Sequence, residues 1–165
     1  MLQTWRRSYR LKYKIMRRED RRVSEQEALA ILEQGAWGVL STCSKEQGPY
    51  GVPLSYCYFN GSLYFHCAPV GRKLDDIRED ERVSFCVVGR TQTLPEKFSM
   101  SYESVIVSGV ASECTGDEKL NALDELIRKY SPDHLEAGFA YARKSGEKTK
   151  VYKIAIRDIC GKARR

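Results

Sequence analysis

The fold class predicted by this sequence is mainly β: a small antiparallel barrel of six strands with a few flanking helices. Three observations carry that prediction. Apolar residues recur in six strand-length runs. Most of those runs are joined by short turns, whereas a parallel sheet needs a long crossover, usually a helix, between successive strands. One of the turns, Asn60-Gly61, is the strongest short hairpin signal, because both residues tolerate positive φ.

The elements follow in order. Ser24 followed by Glu27 is a capping box, and it opens a helix with Ala28, Leu29, Ile31 and Leu32 on one face. Gly35 is expected to stop it. The first strand is read over 36–43, and a turn over 44–49 returns the chain. The second strand runs over 50–59, and Asn60-Gly61 leads into the third over 62–67. A short helix is expected from Lys73 to Asp80. A fourth strand covers 82–88. Gly89 to Ser101, with Pro95 inside it, reads as an irregular link. The fifth strand is 102–114. Asp117 caps a helix with Leu120, Leu123, Leu126, Ile127 and Tyr130 on one face, Pro132 starts another short one, and 149–156 is the last strand.

The totals exclude several classes. The chain has 165 residues, 42% of them hydrophobic, enough for one domain with a sizeable core. No apolar run approaches the roughly 20 residues of a membrane helix, and no apolar segment follows the N-terminal charges. A cytoplasmic protein is the expectation. The net charge of +6 is unevenly spread. Residues 1–22 hold nine Lys/Arg against Glu19 and Asp20, whereas the remainder holds 19 bases and 20 acids. The body is near neutral, which argues against nucleic acid as its main partner. Met16-Arg17-Arg18 resembles a natural start, so 1–15 reads as an upstream extension. Six cysteines at 43, 57, 67, 86, 114 and 160 form no C-x-x-C pair. They read as reduced core residues, with no metal site and no disulfide framework.

The common nucleotide motifs are missing: no G-x-G-x-x-G, no G-x-x-x-x-G-K-[ST], and no G-x-S-x-G elbow. What remains is the stretch from Leu63 to Leu74. It reads as a strand ending in His66, a turn with Gly71, and a helix opening on Arg72 and Lys73. Free N–H groups at a helix start favour an anion, glycine allows close approach, and a lysine adds full charge. Together they predict a phosphate cradle with a titratable imidazole at its rim. Pro53 cannot donate to a ladder, so it belongs on an edge strand or at a bulge, where backbone groups of Val52, Leu54 and Ser55 are free to meet a flat heteroaromatic ring.

The stretches Trp37–Thr42, Tyr50–Tyr56, His66–Lys73 and Tyr102–Gly109 resemble, in order, the pyridoxamine 5′-phosphate oxidase-like flavoproteins, and more narrowly their nitroimidazole-resistance branch. The resemblance covers residues 20–157. It implies a split β-barrel of Greek-key character spanning 23–158. A basic extension over 1–22 and a basic tail over 159–165 flank it. It further implies a homodimer with FMN at the interface. By the resemblance, Val52, Pro53, Leu54 and Ser55 line the isoalloxazine ring, and His66 and Ala68 pass beneath ribityl and ring. Gly71, Arg72 and Lys73 hold the phosphate, and Tyr102, Glu103 and Ser104 are cofactor or interface residues. His66 is the residue placed nearest the reaction. The expected activity is FMN-dependent reduction of small electron-poor, nitroaromatic-type substrates. The residues that recognise pyridoxal in true pyridoxamine phosphate oxidases have no match. Two alternatives stay open: a flavin-binding or sensing protein without turnover, and a haem-binding member of the same superfamily using His66 or His134.

Overall fold

The computed structural model describes residues 16–165, so the features read in 1–15 lie outside the described residues. Four helices, α1 (Glu25–Gln34), α2 (Arg72–Glu79), α3 (Gly116–Tyr130) and α4 (Leu135–Ser145), flank seven strands. The strands are β1 (Gly38–Ser44), β2 (Gly48–Leu54), β3 (Cys57–Phe59), β4 (Ser62–Cys67), β5 (Arg82–Leu94), β6 (Ser99–Cys114) and β7 (Lys150–Arg164). They form one sheet in the order β2-β1-β5-β6-β7-β4-β3, and every pairing is antiparallel. Among the described residues no helix is long and apolar enough to cross a membrane.

The strand count differs from the expected six because the run 50–59 changes partners midway. Gly48–Leu54 pairs with β1 at one edge of the sheet, and Cys57–Phe59 pairs with β4 at the other. Only Ser55 and Tyr56 join them. The three Cα steps from Leu54 to Cys57 span at most about 11 Å, so the sheet must curl until its edges come together. No ladder links β2 to β3, and the barrel is therefore split at this point.

Local chemistry explains the elements. The Ser24 side chain accepts from the Glu27 amide at 3.2 Å, as the capping box requires. Asn60 and Gly61 both have positive φ, 46° and 70°. The segment expected to be irregular, 89–101, instead continues β5 and β6 as a hairpin closed by a 3-10 turn at Pro95–Lys97. A register shift between Val88 and Thr91 absorbs Gly89 and Arg90. The last strand also outruns its expected end. Residues 159–164, expected as a basic tail, complete β7 opposite β6, after a register shift around Arg157. Gly161 keeps this stretch narrow where Val23 and Ala28 pack on it, and Ala163 is buried two residues on. Of the expected N-terminal extension, Glu19–Arg21 form a 3-10 turn, and Arg22 after it bridges to Lys162.

The main core fills the barrel with Leu40, Leu63, Phe65, Phe85, Val105, Val107 and Ile154, plugged at one side by Leu32 of α1. A second cluster lies between β3, β4 and β7 and the helices α3 and α4, around Cys57, Tyr64, Ala122, Leu126 and Val151. The described cysteines are all unbridged, and no metal-binding cluster of His, Cys, Asp or Glu occurs among the described residues. Burial pushes the thiols of Cys57 and Cys114 up to about 12 and about 11, so neither is a thiolate near neutrality.

Candidate functional site

The cradle forms where β4 ends and α2 begins. Along β4, Phe65 and Cys67 are buried and His66 lies on the opposite, exposed side, paired in register with Val151. Partial desolvation still draws the His66 imidazole below its ordinary value, so it is neutral at pH 7. Ala68, Pro69 and Val70 are exposed in the turn that follows. Gly71 then caps α2 at φ +144° and ψ 156°, a conformation open essentially only to glycine. A Cβ there would meet nothing within 4 Å, so the space in front of the helix start is open.

The first helical amides face that space. The Gly71 carbonyl takes the Leu74 and Asp75 amides at 2.8 and 3.3 Å. The amides of Arg72 and Lys73 have no intrahelical acceptor. Lys73 is half-buried, and among the described residues no carboxylate pairs with it. Burial raises the Cys67 thiol pKa, and the Lys73 charge works in the opposite direction.

Arg72 points its charge elsewhere. Its Nη2 donates to the carbonyls of Gln47, Gly48 and Pro49 at 2.8, 3.2 and 3.4 Å, and its guanidinium lies 4.6 Å from the Tyr50 ring centroid. One turn on, Asp76 is 1% exposed. Its Oδ2 accepts from Thr42 Oγ1 at 2.7 Å and lies 3.7 Å from Arg72 Nε. Glu79 accepts from the Lys45 amide at 3.0 Å. These three ties fix α2 to β1 and the β1–β2 turn, and so fix the cradle.

Of the residues expected at the ring, Val52, Pro53 and Leu54 lie on β2 and Ser55 just past its end. Pro53 sits on an edge strand, as its missing donor requires, with Val52 and Leu54 half-buried and Pro53 and Ser55 exposed. The register carries Pro53 across the outer face of the sheet in a row: Pro53, Val39, Cys86, Ile106, Cys160. The adjoining row is Val88, Ser104, Lys162. Ile106 is 50% exposed and Val88 54%, so this apolar face stands open in the single chain.

Tyr102, Glu103 and Ser104 are not brought to the cradle by one chain. Val151, the register partner of His66 at the cradle, pairs with Cys114 at the end of β6. Tyr102 lies twelve residues back, about 40 Å of strand at roughly 3.3 Å per residue. Glu103 acts locally. Its Oε1 accepts from the Arg90 amide at 3.1 Å inside the β5 bulge, and Gly89 leaves room for it, since a Cβ there would come within 2.7 Å of Glu103 Cγ. Tyr102 Oη accepts from Arg21 at 3.1 Å, and the nearby Lys162 and Arg21 lower its phenol pKa. Asp76, which anchors α2 through Thr42 and Arg72, has no marker in the sequence, where it reads as another helix charge.

The family model described as pyridoxamine 5′-phosphate oxidase matches residues 24–163 of this chain. No curated protein matches. Among solved structures, a Bacteroides thetaiotaomicron protein named for 5-nitroimidazole antibiotic resistance is 25% identical, with 86% of each chain covered and a TM-score of 0.74. A FAD-binding protein from Mesorhizobium loti is 24% identical, covering 88% of this chain and 98% of its own, with a TM-score of 0.60. A FAD- and haem-binding protein from Mycobacterium smegmatis is 18% identical, covering 85% and 71%, with a TM-score of 0.72. The last two share the fold.

Proposed function

We propose that this chain, which belongs to the pyridoxamine 5′-phosphate oxidase family, is a flavoprotein that holds FMN between two copies of itself and reduces small electron-poor molecules of the nitroaromatic type. The observation that carries the reading is the cradle: Gly71 in a glycine-only conformation, two free amides, an unpaired Lys73 and open space before them. A phosphate supplies what these groups lack. The open row from Pro53 to Cys160 supports the dimer, and the separation of Tyr102–Ser104 from the cradle is what a site shared by two chains requires. Likeness to the Bacteroides protein supports the nitroaromatic substrate class. Six cysteines without a disulfide among the described residues fit a reducing, cytoplasmic setting.

In this reading Gly71 and Lys73 hold the phosphate, and Arg72 keeps the neighbouring β1–β2 turn in place. The backbone of Val52–Ser55 lines the ring. FMN, when bound, supplies the electrons. The chain's own part is to bind and orient the flavin and to keep water from one side of it. His66, neutral at pH 7, offers a hydrogen bond at the rim, and it donates a proton to the reduced product only when protonated.

The freshly purified protein is expected to be yellow and to bleach with a reductant. A colourless protein that takes up no added FMN overturns the reading. Consumption of NADH or NADPH with a panel of nitro compounds separates a reductase from a protein that only binds flavin. Lys73→Ala is expected to weaken FMN by about 1.5–3 kcal/mol, roughly ten- to a hundred-fold in Kd, while sparing riboflavin, which has no phosphate. Fluorescence titration with both flavins reads this, and unchanged FMN affinity would place the phosphate elsewhere.

A further inference from the structure

We infer that Tyr130 is a positioning residue for the flavin ring: its hydroxyl, at the end of α3, fixes the β2–β3 connection that carries Leu54 and Ser55. The inference rests on the flavin reading above.

Tyr130 lies outside the cradle, yet its hydroxyl sits where the barrel is split. It accepts from the Tyr56 amide at 2.9 Å. It lies 2.8 Å from the Ala36 carbonyl and 2.9 Å from the Tyr56 carbonyl, so its one proton is shared between two acceptors. One oxygen thus ties the entry to β1 to Tyr56, the second of the two residues that cross from one sheet edge to the other.

Tyr56 is gripped from other sides as well. It is fully buried, its hydroxyl donates to the Leu32 carbonyl, and its ring packs edge-on to Phe85 at 4.9 Å. Lys129 Nζ lies 3.9 Å from the Tyr56 ring centroid, is buried, and has no hydrogen-bond partner. A desolvated cation over a ring face is held there by the ring's quadrupole. With Tyr56 pinned, the backbone groups of Leu54 and Ser55 next to it have little freedom. Preorganised first contacts need such support from behind. Holding α3 in place does not need the hydroxyl, because Leu123 and Leu126 already bury its apolar face. Removing the hydroxyl should therefore loosen the ring-side wall and leave the phosphate cradle alone.

The test titrates wild type, Tyr130→Phe and Lys73→Ala with FMN and with riboflavin. Tyr130→Phe is expected to weaken both flavins by the same factor, about tenfold, and to shift the visible bands of the bound flavin. Lys73→Ala is expected to weaken FMN alone. Tyr130→Phe binding both flavins within about twofold of wild type, with an unchanged spectrum, overturns the inference. Should Tyr130→Phe not fold, Lys129→Gln releases the Tyr56 ring and is read in the same way: equal loss for both flavins supports the inference, and no loss overturns it. Amide exchange at Ser55 and Tyr56 reads the clasp without flavin. If wild type binds no flavin while exchange at both amides still rises about tenfold in Tyr130→Phe, the flavin reading fails and the clasp stands; unchanged exchange overturns the clasp itself.

Discussion

Asp76→Ala is expected to cost about 3 kcal/mol of stability and to lower Tm by roughly 6–12 °C. The loss comes from the partners left behind. Thr42 Oγ1 donates to Asp76 at 2.7 Å, and the Arg72 guanidinium lies beside the same oxygen. With the carboxylate gone, a buried hydroxyl loses its acceptor and Arg72 loses its counter-charge. Asp76→Asn keeps an oxygen for Thr42 and removes only the charge, so it should cost less, about 1 kcal/mol. The effect reaches the cradle because Asp76 is one turn after Arg72 on the same short helix. FMN affinity in Asp76→Ala should fall although Asp76 touches no ligand. Thermal melts with and without FMN separate the two effects. A Tm within about 2 °C of wild type would mean that Asp76 does not anchor α2.

Signals confined to a few neighbouring residues were legible in the sequence. The Ser24 cap, the Asn60-Gly61 turn, and the sequence of strand, Gly71 and basic helix start are all short-range chemistry, and each is present as expected. What was not legible depends on partners distant in the chain. The run 50–59 alternates without a break, and nothing local says that its two halves pair with opposite sheet edges. Gly89 and Pro95 look like breakers. Yet Gly89 makes room for Glu103, and Pro95 opens the tight turn of a hairpin whose strands continue on both sides. The charges after Arg157 look like a tail because the pattern does not reveal that Ile159, Gly161 and Ala163 alternate inward against β6 and α1.

The same limit applies to the candidate site. The cradle occupies adjacent residues and could be read directly, whereas the placement of its anchors could not. Asp76 gains its role from Thr42, 34 residues earlier, and Tyr130 from Tyr56, 74 residues earlier. The motif around Tyr102 is a recognisable string, but only the length of β6 shows that it stands at the far end of the barrel from Lys73 within one chain.

Ile106→Glu is expected to convert a dimer to monomers and to remove the flavin while leaving the chain folded. Ile106 is central in the row Pro53, Val39, Cys86, Ile106, Cys160, and half of its surface is bare in the single chain. Val88 in the neighbouring row and Met100 further along β6 are exposed too. A carboxylate at the centre of such a face must be desolvated on association, against a like charge from the other copy, and losses of about 2 kcal/mol or more are typical when a central contact is removed. Self-association should weaken at least about thirtyfold. The fold should survive because the Ile106 side chain points away from the core formed by Val105 and Val107. Sedimentation, flavin content and a melt on the same sample give the answer. A variant that keeps both wild-type mass and wild-type flavin would exclude this face as the interface. A variant that becomes monomeric yet keeps its flavin would show that one chain completes the site, and that Tyr102–Ser104 serve only their own barrel. Loss of both together is the outcome required by a cradle on one chain and its facing wall on another.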